Sequence, residues 1–292
     1  MKKVLTSLAK YPLFLISLLP FPLIYLLSDL LYVIIYYAVG YRRNVVQMNL
    51  RNAYPSKTDK EIYSIEKKYF KWLADLILES VKMASMSKAS MKKRFRLVNP
   101  EIIEEQFAKG KPVMLVTAHY GNWEWGSLAL SAAFDEPLII VYKPLTNKTF
   151  EEMLNRLRSR FGAVMVEMKH TLRKIVSYRS QKYWTVFLGD QTPVHQQAQY
   201  FTTFLNQQTA VFLGTEKVAK IANATVIFGQ MNRVKRGHYE AVFTLLTDDP
   251  NATADYEITE AHTRMLEKVI NETPQYWLWS HKRWKKSYKI RN

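Results

Sequence analysis

The stretch Pro112–Glu124 reads PVMLVTAHYGNWE and contains the pattern that decides the fold. Its five residues Val113–Thr117 have the length and the apolar, β-branched composition of a buried strand. His119 follows almost at once, and the pair Gly121-Asn122 indicates a turn before a helical pattern. Ligands of open α/β sheets bind beyond the carboxyl ends of the strands, so this turn is a candidate site.

Short apolar runs and helical patterns continue to alternate along the rest of the chain. We predict strands at Val113–Thr117, Leu138–Tyr142, Val164–Val166, Tyr183–Leu188, Thr225–Phe228 and Ala241–Leu246. We predict helices at about Asn122–Ala133, Thr149–Phe161, Leu172–Arg179, Ala210–Ala222 and Thr259–Asn271. This alternation predicts an α/β fold with a largely parallel central sheet covered by helices.

A long helix is predicted upstream of the first strand. Thr58 with Glu61 three residues later forms a capping-box pattern, which marks a helix start. Apolar residues then recur at helical spacing, at Ile62, Ile65, Tyr69, Leu73, Leu76 and Ile77. We predict that this stripe faces the core and carries no chemistry.

The N-terminal stretch Tyr11–Gly40 contains a single charged residue, Asp29. About 20 apolar residues suffice to cross the hydrocarbon core of a membrane, so membrane attachment is expected. Pro20 and Pro22 interrupt the stretch, which leaves one kinked spanning helix or two shorter helices that enter and return. Basic residues flank both ends of the stretch, so the distribution of charge does not distinguish one spanning helix from two shorter ones. A core helix of a soluble protein is the alternative.

Composition narrows the class of protein. The 292 residues include 42 Lys and Arg against 25 Asp and Glu, a net charge of +17, which indicates an acidic partner. The seven Trp favour a lipid surface, and no nucleic-acid-binding motif is found. The absence of cysteine excludes disulfides and thiolate nucleophiles. The histidines lack metal-ligand spacing, so no metal or other cofactor is predicted. We divide the chain into an anchor, 1–43, and one domain, 44–292.

The candidate chemistry centres on His119, which is suited to act as a general base toward a hydroxyl. Glu124, across the turn, could hold the imidazole in one tautomer, as the third member of a catalytic triad does. The start of the following helix offers N–H groups that could bind an oxyanion. No Gly-x-Ser-x-Gly elbow is present, so direct transfer is simpler than a covalent intermediate. A solvent-facing histidine at a turn is the alternative.

Three further charged residues are candidates for binding substrate. Arg158 and Arg160 could hold phosphates through their guanidinium groups, or could simply form a solvated basic face. Asp190 follows the predicted strand Tyr183–Leu188 and is expected at the same sheet edge as His119. It could orient an arginine or the acceptor, or cap the turn in which it lies.

A histidine and, five positions later, an acidic residue at a strand end resemble the signature of glycerolipid acyltransferases. The form with Gly-Asn-Trp-Glu resembles the late acyltransferases of lipid A biosynthesis, the lauroyl and myristoyl transferases. Other blocks similar to that family are Tyr41–Val46, Asn49-Leu50, Ala53–Pro55, Val141–Leu145, Arg158–Gly162, Gly189–Pro193 and Pro274–Lys285. The chain departs from the family at Phe204-Leu205-Asn206, where a Phe-Phe-Gly turn is common, and in the Gln-rich loop Val194–Gln199. No Pro-Glu-Gly-Thr block is present, which argues against a lysophosphatidic acid acyltransferase.

The resemblance implies a membrane-bound enzyme that moves a fatty acyl group from acyl carrier protein to a hydroxyl of a lipid A precursor. It implies catalytic roles for His119 and Glu124, and substrate-binding roles for Asn122, Lys143, Arg158, Arg160 and Asp190. It places the protein in the bacterial inner membrane, with the catalytic domain on the cytoplasmic side where the donor is made. An acyltransferase for another glycolipid or aminolipid, and a non-catalytic basic protein that binds membrane surfaces, remain alternatives.

Overall fold

The computed structural model describes residues 10–193 and 198–284. Two helices come first, α1 (Lys10–Leu18) and α2 (Phe21–Val33), and a π-helical turn, Ile34–Ala38, continues the second. The helical conformation is interrupted between α1 and α2 at Pro20, which directly precedes the first residue of α2. A proline cannot donate the hydrogen bond that would continue the first helix.

The helices and strands predicted from the sequence follow in chain order. Helices at Arg43–Ala53, Lys88–Arg94 and Glu101–Ala108 and strands at Phe95–Leu97, Tyr200–Phe204 and Gln207–Val211 are additional elements that the sequence did not predict. The helices are α3 (Arg43–Ala53), α4 (Asp59–Lys82), α5 (Lys88–Arg94), α6 (Glu101–Ala108), α7 (Trp123–Ala133), α8 (Lys148–Arg158), α9 (Thr171–Val176), α10 (Gly214–Ala222) and α11 (Glu257–Glu272). The strands are β1 (Phe95–Leu97), β2 (Val113–Thr117), β3 (Leu138–Tyr142), β4 (Val164–Glu167), β5 (Trp184–Leu188), β6 (Tyr200–Phe204), β7 (Gln207–Val211), β8 (Thr225–Lys235) and β9 (His238–Thr247).

Seven strands form the central sheet in the order β1-β9-β8-β2-β5-β3-β4. Neighbouring strands run parallel except β8 and β9, which are antiparallel. Every residue of β2 is buried, as expected for a strand covered on both faces. The prediction of an α/β fold with a largely parallel sheet is confirmed.

One predicted helix is wrong at its start. The helix expected over Ala210–Ala222 begins only at Gly214, because Gln207–Val211 pairs as an antiparallel strand with β6. Leu205 and Asn206 join these strands, both with positive φ, as a tight hairpin turn of the primed type requires. This turn is the place where Phe204-Leu205-Asn206 departs from the Phe-Phe-Gly pattern of the family.

Helix α4 supports one face of the sheet. Its capping box is confirmed, since the Thr58 and Glu61 side chains and backbone amides bond reciprocally. The predicted apolar stripe is largely buried, but Ile77 is exposed. Trp72, from the same helix, is fully buried and reaches the turn that follows β2. The helix therefore connects the core with the candidate site.

The N-terminal helices pack against α4 and also present an apolar face to solvent. Phe21–Ala38 is long and apolar enough to cross a membrane. Its inner side makes polar contacts, in which Ser28 Oγ donates to Asp75 Oδ1 at 2.6 Å and Arg236 Nη2 donates to Asp29 Oδ1 at 2.7 Å. Its outer side exposes large apolar side chains, namely Leu23, Leu26, Leu30, Val33, Ile34 and Tyr37.

Candidate active site

The site lies beyond the carboxyl ends of β2 and β5, which are parallel neighbours. Thr117 pairs with Leu188 in their register. His119 and Asp190 each come two residues after that pair, so the register places them side by side. The Nδ1 atom of His119 lies 2.7 Å from Oδ1 of Asp190.

Asp190 is buried and receives three hydrogen bonds. Besides the imidazole, the backbone N–H of His119 donates to Oδ2 at 3.1 Å and the indole N–H of Trp277 donates to Oδ2 at 2.9 Å. Burial alone would raise the pKa of this carboxyl. The adjacent imidazole and the hydrogen bonds outweigh burial and lower the pKa of Asp190 to about 2. Asp190 is therefore a carboxylate at neutral pH.

The carboxylate fixes the tautomer of His119. A carboxylate only accepts hydrogen bonds, so Nδ1 carries the proton and Nε2 of the neutral ring keeps a lone pair. The amide Nε2 of Gln191 lies 3.2 Å from that ring nitrogen and can donate to it. The imidazole is partly exposed, with 19% of its side-chain surface accessible. His119 thus presents an oriented base toward the open side of the site.

The turn that carries His119 is held from several sides. Gly121 has a φ of +63°, and a Cβ on it would lie 2.0 Å from the backbone oxygen of Met231. Its backbone N–H donates to the oxygen of Tyr276 at 2.9 Å. Its oxygen accepts from the indole of Trp72 at 3.1 Å. The His119 oxygen accepts from the N–H of Leu278 at 3.1 Å. The position of the base is therefore tightly constrained.

Glu124 does not make the contact with His119 that the sequence analysis expected. Its carboxylate accepts two hydrogen bonds from Arg158, from Nε at 2.8 Å and from Nη2 at 2.5 Å. It accepts a third from the indole of Trp123 at 3.1 Å. Because α7 begins at Trp123, Glu124 lies in its first turn and faces the last turn of α8. Asp190 instead makes the contact that orients the imidazole.

Electrostatics still connect Glu124 with the site. Burial raises the pKa of its carboxyl, but Arg158 and, more weakly, the His119 imidazole outweigh burial and keep it below the usual range. Glu124 is therefore charged at neutral pH, and its charge acts on the same imidazole that Asp190 contacts.

The other expected binding residues do not all face the site. Asn122 is fully buried and its amide is bonded within the protein. Arg160 donates to the backbone oxygens of Met83 and Met86, so it holds the end of α4. Lys143 is exposed just after β3, on the carboxyl side of the sheet. These placements favour structural roles for Asn122 and Arg160 and leave Lys143 accessible to a substrate.

The start of α7 is capped by the protein itself. Asn122 Oδ1 accepts the N–H of Trp125 at 2.9 Å, and the Asn122 backbone oxygen accepts the N–H of Gly126. The bond from Gly126 is the first bond of the helix itself, whereas the bond from Trp125 occupies one N–H group that we expected the helix start to offer to an oxyanion. Across residues 10–193 and 198–284, no group of three or more His, Asp and Glu side chains is arranged to hold a metal ion. The absence of a metal stays a prediction.

The C-terminal segment belongs to the site as a support. Trp277 and Trp279 are buried, and Tyr120 and Trp277 form an isolated antiparallel bridge. His281 Nε2 accepts the N–H of Thr192 at 3.3 Å, and burial lowers the pKa of His281 to about 4. These contacts indicate a structural role for this basic, aromatic segment beside the site. Most of the Gln-rich loop in which the chain departs from the family pattern, 194–197, lies outside the described residues.

Three features of the site were not predicted from the sequence: the pairing of Asp190 with His119, the amide of Gln191 at Nε2, and the indole of Trp277 at Asp190. The signal for the first two was present, because Gly189-Asp190-Gln191 directly follows a predicted buried strand. Only the adjacency of β2 and β5 was unknown. Nothing in the local pattern indicated Trp277.

Comparison with known proteins adds an independent line of evidence. Residues 1–286 match the family model described as Bacterial lipid A biosynthesis acyltransferase. The chain is 25% identical over 91% of its length to a Lipid A biosynthesis acyltransferase of Haemophilus influenzae, of which 83% is covered. It is 24% identical over 96% of its length to the Lipid A biosynthesis lauroyltransferase of Escherichia coli, of which 91% is covered. It is 21% identical over 84% of its length to the palmitoleoyltransferase of the same species, with 79% covered.

Proposed function

Because the chain belongs to the bacterial lipid A biosynthesis acyltransferase family, we propose that it transfers a fatty acyl group from an acyl carrier protein thioester to a hydroxyl of a lipid A precursor. The observation that carries this proposal is the oriented His119–Asp190 pair beyond β2 and β5. A lipid hydroxyl is a poor nucleophile at neutral pH, so the reaction needs a base placed in this way.

In the proposed reaction, the acceptor hydroxyl displaces the amide of Gln191 from Nε2 of His119. Nε2 removes the hydroxyl proton while the oxygen attacks the thioester carbonyl, and Asp190 stabilises the imidazolium that forms. The tetrahedral intermediate then collapses, and the C–S bond breaks. The departing thiolate takes the proton from Nε2, so the neutral imidazole returns and no covalent enzyme intermediate forms.

Glu124 and Arg158 have a supporting part in this proposal. The carboxylate adds negative charge near the imidazolium, and the guanidinium fixes that carboxylate through two hydrogen bonds. Lys143, exposed beyond β3, is the residue we propose for contact with an anionic group of either substrate. The His-Glu arrangement of the sequence analysis thus becomes a His-Asp pair assisted by Glu124.

The net charge of +17 supports a carrier protein as donor, since acyl carrier proteins are strongly acidic and opposite charge speeds encounter. We also propose that the enzyme attaches to the inner membrane through the exposed apolar face of α2 and faces the cytoplasm. The polar contacts of α2 with Asp75 and Arg236 place its inner side against the protein. This arrangement would bring the site close to the lipid acceptor.

The proposal is tested with purified protein in detergent, a lipid A precursor and an acyl carrier protein thioester, with mass spectrometry of the lipid. We expect the mass of one acyl chain to be added. His119→Ala should lower the rate roughly 10²–10⁴-fold, the usual contribution of a general base. His170→Ala removes an exposed histidine and should leave the rate unchanged. Near-normal turnover by a folded His119→Ala protein would contradict the mechanism.

The donor is tested separately by replacing the carrier-protein thioester with acyl-CoA at the same concentration. We expect slower transfer from acyl-CoA. The advantage of the carrier protein should shrink as salt screens the basic surface. Equal rates with both donors at low salt would exclude recognition of the carrier protein as the reason for the positive charge. Acylation of a different glycolipid in preference to the lipid A precursor would favour the alternative acceptor.

A further inference from the structure

Glu79 on α4 carries a fully buried carboxyl group at the junction of four elements. Its Oε1 accepts a hydrogen bond from the hydroxyl of Tyr25 on α2 at 2.9 Å. Its Oε2 accepts from the amide of Asn122 at 2.7 Å and from the hydroxyl of Tyr239 on β9 at 2.6 Å. Its backbone oxygen accepts from the indole of Trp125 on α7 at 2.8 Å. One residue thus joins the N-terminal helix, the sheet and the start of α7.

Asn122 connects this carboxyl group with the turn that carries His119. It comes three residues after His119 and is the N-cap of α7, where its Oδ1 accepts the N–H of Trp125. Its Nδ2 donates to Glu79. The two ends of one amide are therefore fixed by different partners. Without the acceptor at Glu79, a buried N–H group would lose its hydrogen bond, and the amide would be free to turn away from the cap.

Burying a carboxyl group costs free energy. At Glu79 the side chains of Tyr25, Asn122 and Tyr239 all donate hydrogen bonds to the buried group. Burial raises the pKa of Glu79 to about 7, although hydrogen bonds from Tyr239 and Tyr25 oppose the rise. An apolar side chain of similar volume would avoid this desolvation but could accept none of the three hydrogen bonds. The group is therefore suited to holding other residues in place.

We propose that Glu79 is a positioning residue for the acyl transfer proposed above. Acting through Asn122, it holds the turn that carries His119 at the distance that proton removal requires. Through Tyr25 it ties the same turn to α2, the helix that presents its apolar face outward. The lipid-facing helix and the base are then parts of one hydrogen-bonded unit.

The test compares Glu79→Met with Glu79→Gln. Methionine keeps the volume but removes both carboxyl oxygens, and with them the three hydrogen bonds that these oxygens accept. Glutamine can accept from Asn122 and Tyr239 with its oxygen and donate to the Tyr25 hydroxyl with its amide. We expect Glu79→Met to lower kcat about 10- to 100-fold with unchanged KM for both substrates, as small misplacements of catalytic groups do. Glu79→Gln should keep most of the wild-type kcat.

Glu66 provides a matched control on the same helix. It is also fully buried, and its carboxylate accepts hydrogen bonds from Arg43 and Gln47. Glu66→Met should lower stability but leave kcat unchanged. An equal fall in kcat for Glu66→Met and Glu79→Met would show a general effect of destabilisation and overturn the proposal. A wild-type kcat in folded Glu79→Met would overturn it as well.

Hydrogen exchange gives a readout that does not depend on turnover. Backbone amides of residues 118–126 should exchange faster in Glu79→Met than in wild type, and at the wild-type rate in Glu79→Gln and Glu66→Met. This result would stand even if the protein acylated no lipid A precursor. Unchanged exchange in Glu79→Met would contradict the proposed link.

A second design applies if Glu79→Met fails to fold. Asn122→Asp keeps the cap oxygen but places two carboxyls together, so it should lower kcat. The double variant Glu79→Gln/Asn122→Asp exchanges the two groups, because the amide at position 79 can then donate to the carboxylate at position 122. It should recover most of the lost kcat. Additive losses in the double variant would show that the pair does not act as a unit.

Discussion

His119 Nδ1 lies 2.7 Å from Asp190 Oδ1, although 71 positions separate the two residues in the chain. The register of β2 and β5 creates this contact. Thr117 pairs with Leu188, and His119 and Asp190 each come two residues after these paired residues. The contact leaves the lone pair on Nε2, and the indole of Trp277 donates to the carboxylate from the other side. The tautomer of the imidazole is therefore set by the sheet and the C-terminal segment together.

Asp190→Asn tests that assignment. Asparagine keeps the size of the side chain, but its amide can donate to Nδ1 and so favours the tautomer with the proton on Nε2. The base would then be blocked, and we expect kcat to fall by up to roughly 10⁴-fold, as in triads with the same change. Steady-state kinetics with a circular dichroism check of folding measure this. A folded Asp190→Asn enzyme with a wild-type rate would rule out Asp190 as the residue that orients the base.

The ion pair between Glu124 and Arg158 should contribute to the stability of the fold. Both side chains are largely buried, with 10% and 22% of their surfaces exposed. Removing one partner leaves a poorly solvated charge, so Glu124→Gln and Arg158→Met should each destabilise the fold by roughly 3 kcal/mol. The double variant should be more stable than the sum of the two losses predicts. Additive losses in chemical unfolding would show that the pair contributes no coupling energy.

Much of the fold could be predicted from the sequence because apolar runs report burial directly. The bounds of β2 and β3 agree with the predicted ones, and the capping box correctly marks the start of α4. The hairpin of β6 and β7 was missed, since the polar residues at the start of Gln207–Val211 give no strand pattern and its apolar end resembles a helix start. Pairing with a neighbouring strand overrides such local preferences.

The site was predictable only in part, and the reason is the order of the strands. His119 could be identified from its own turn, since the strand, the glycine and the following helix are local. Its partner could not, because β5 lies beside β2 in space while β3 follows β2 in the chain. Glu124 is the carboxylate that the local turn and the spacing of the family signature indicate, and neither of these patterns reports which strand lies beside β2. Parallel sheets with crossover connections place the partners of a site far apart along the chain.

Gly121→Ala should disrupt the turn. The residue has a φ of +63°, which is unfavourable for a residue with a Cβ, and that Cβ would lie 2.0 Å from the backbone oxygen of Met231. We expect a loss of stability of several kcal/mol or failure to fold. Gly110→Ala is a matched control, because its φ is also positive at +74° but nothing lies within 4 Å of its Cβ. Equal melting temperatures for the two variants would show that the turn tolerates a displacement of β8.

The outer face of α2 makes a prediction about membrane attachment. Leu26 and Leu30 expose 65% and 56% of their surfaces on that face. Leu26→Lys/Leu30→Lys should weaken membrane binding, since each lysine opposes insertion into the hydrocarbon region. Ile221→Lys, which replaces an apolar side chain of α10 that is 63% exposed, is the control and should stay membrane-bound. Sedimentation of membranes after a high-salt wash measures both. Full retention of the double variant would show that this face does not attach the protein.

The raised pKa of the Glu79 carboxyl predicts how the stability of the protein depends on pH. The groups that face its carboxyl are Tyr25 on α2, Asp75 on α4, Arg233 on β8 and Tyr239 on β9. Burial dominates among these influences and raises the pKa to about 7 from an ordinary value of 4.5. The unfolded chain therefore loses this proton at lower pH than the folded protein does.

The sign of the effect follows from proton binding. Between pH 4.5 and about 7 the folded state holds the Glu79 proton and the unfolded state does not, so this group makes folding less favourable as pH rises. The effect is absent below pH 4.5 and complete above about 7, with a slope of at most about 1.4 kcal/mol per pH unit. Glu79→Gln has no titrating proton. The free energy of unfolding, measured with urea from pH 4.5 to 8, should therefore fall in wild type relative to Glu79→Gln across that window. Parallel pH curves for the two proteins would show that the Glu79 carboxyl has the same pKa in the folded and unfolded chains.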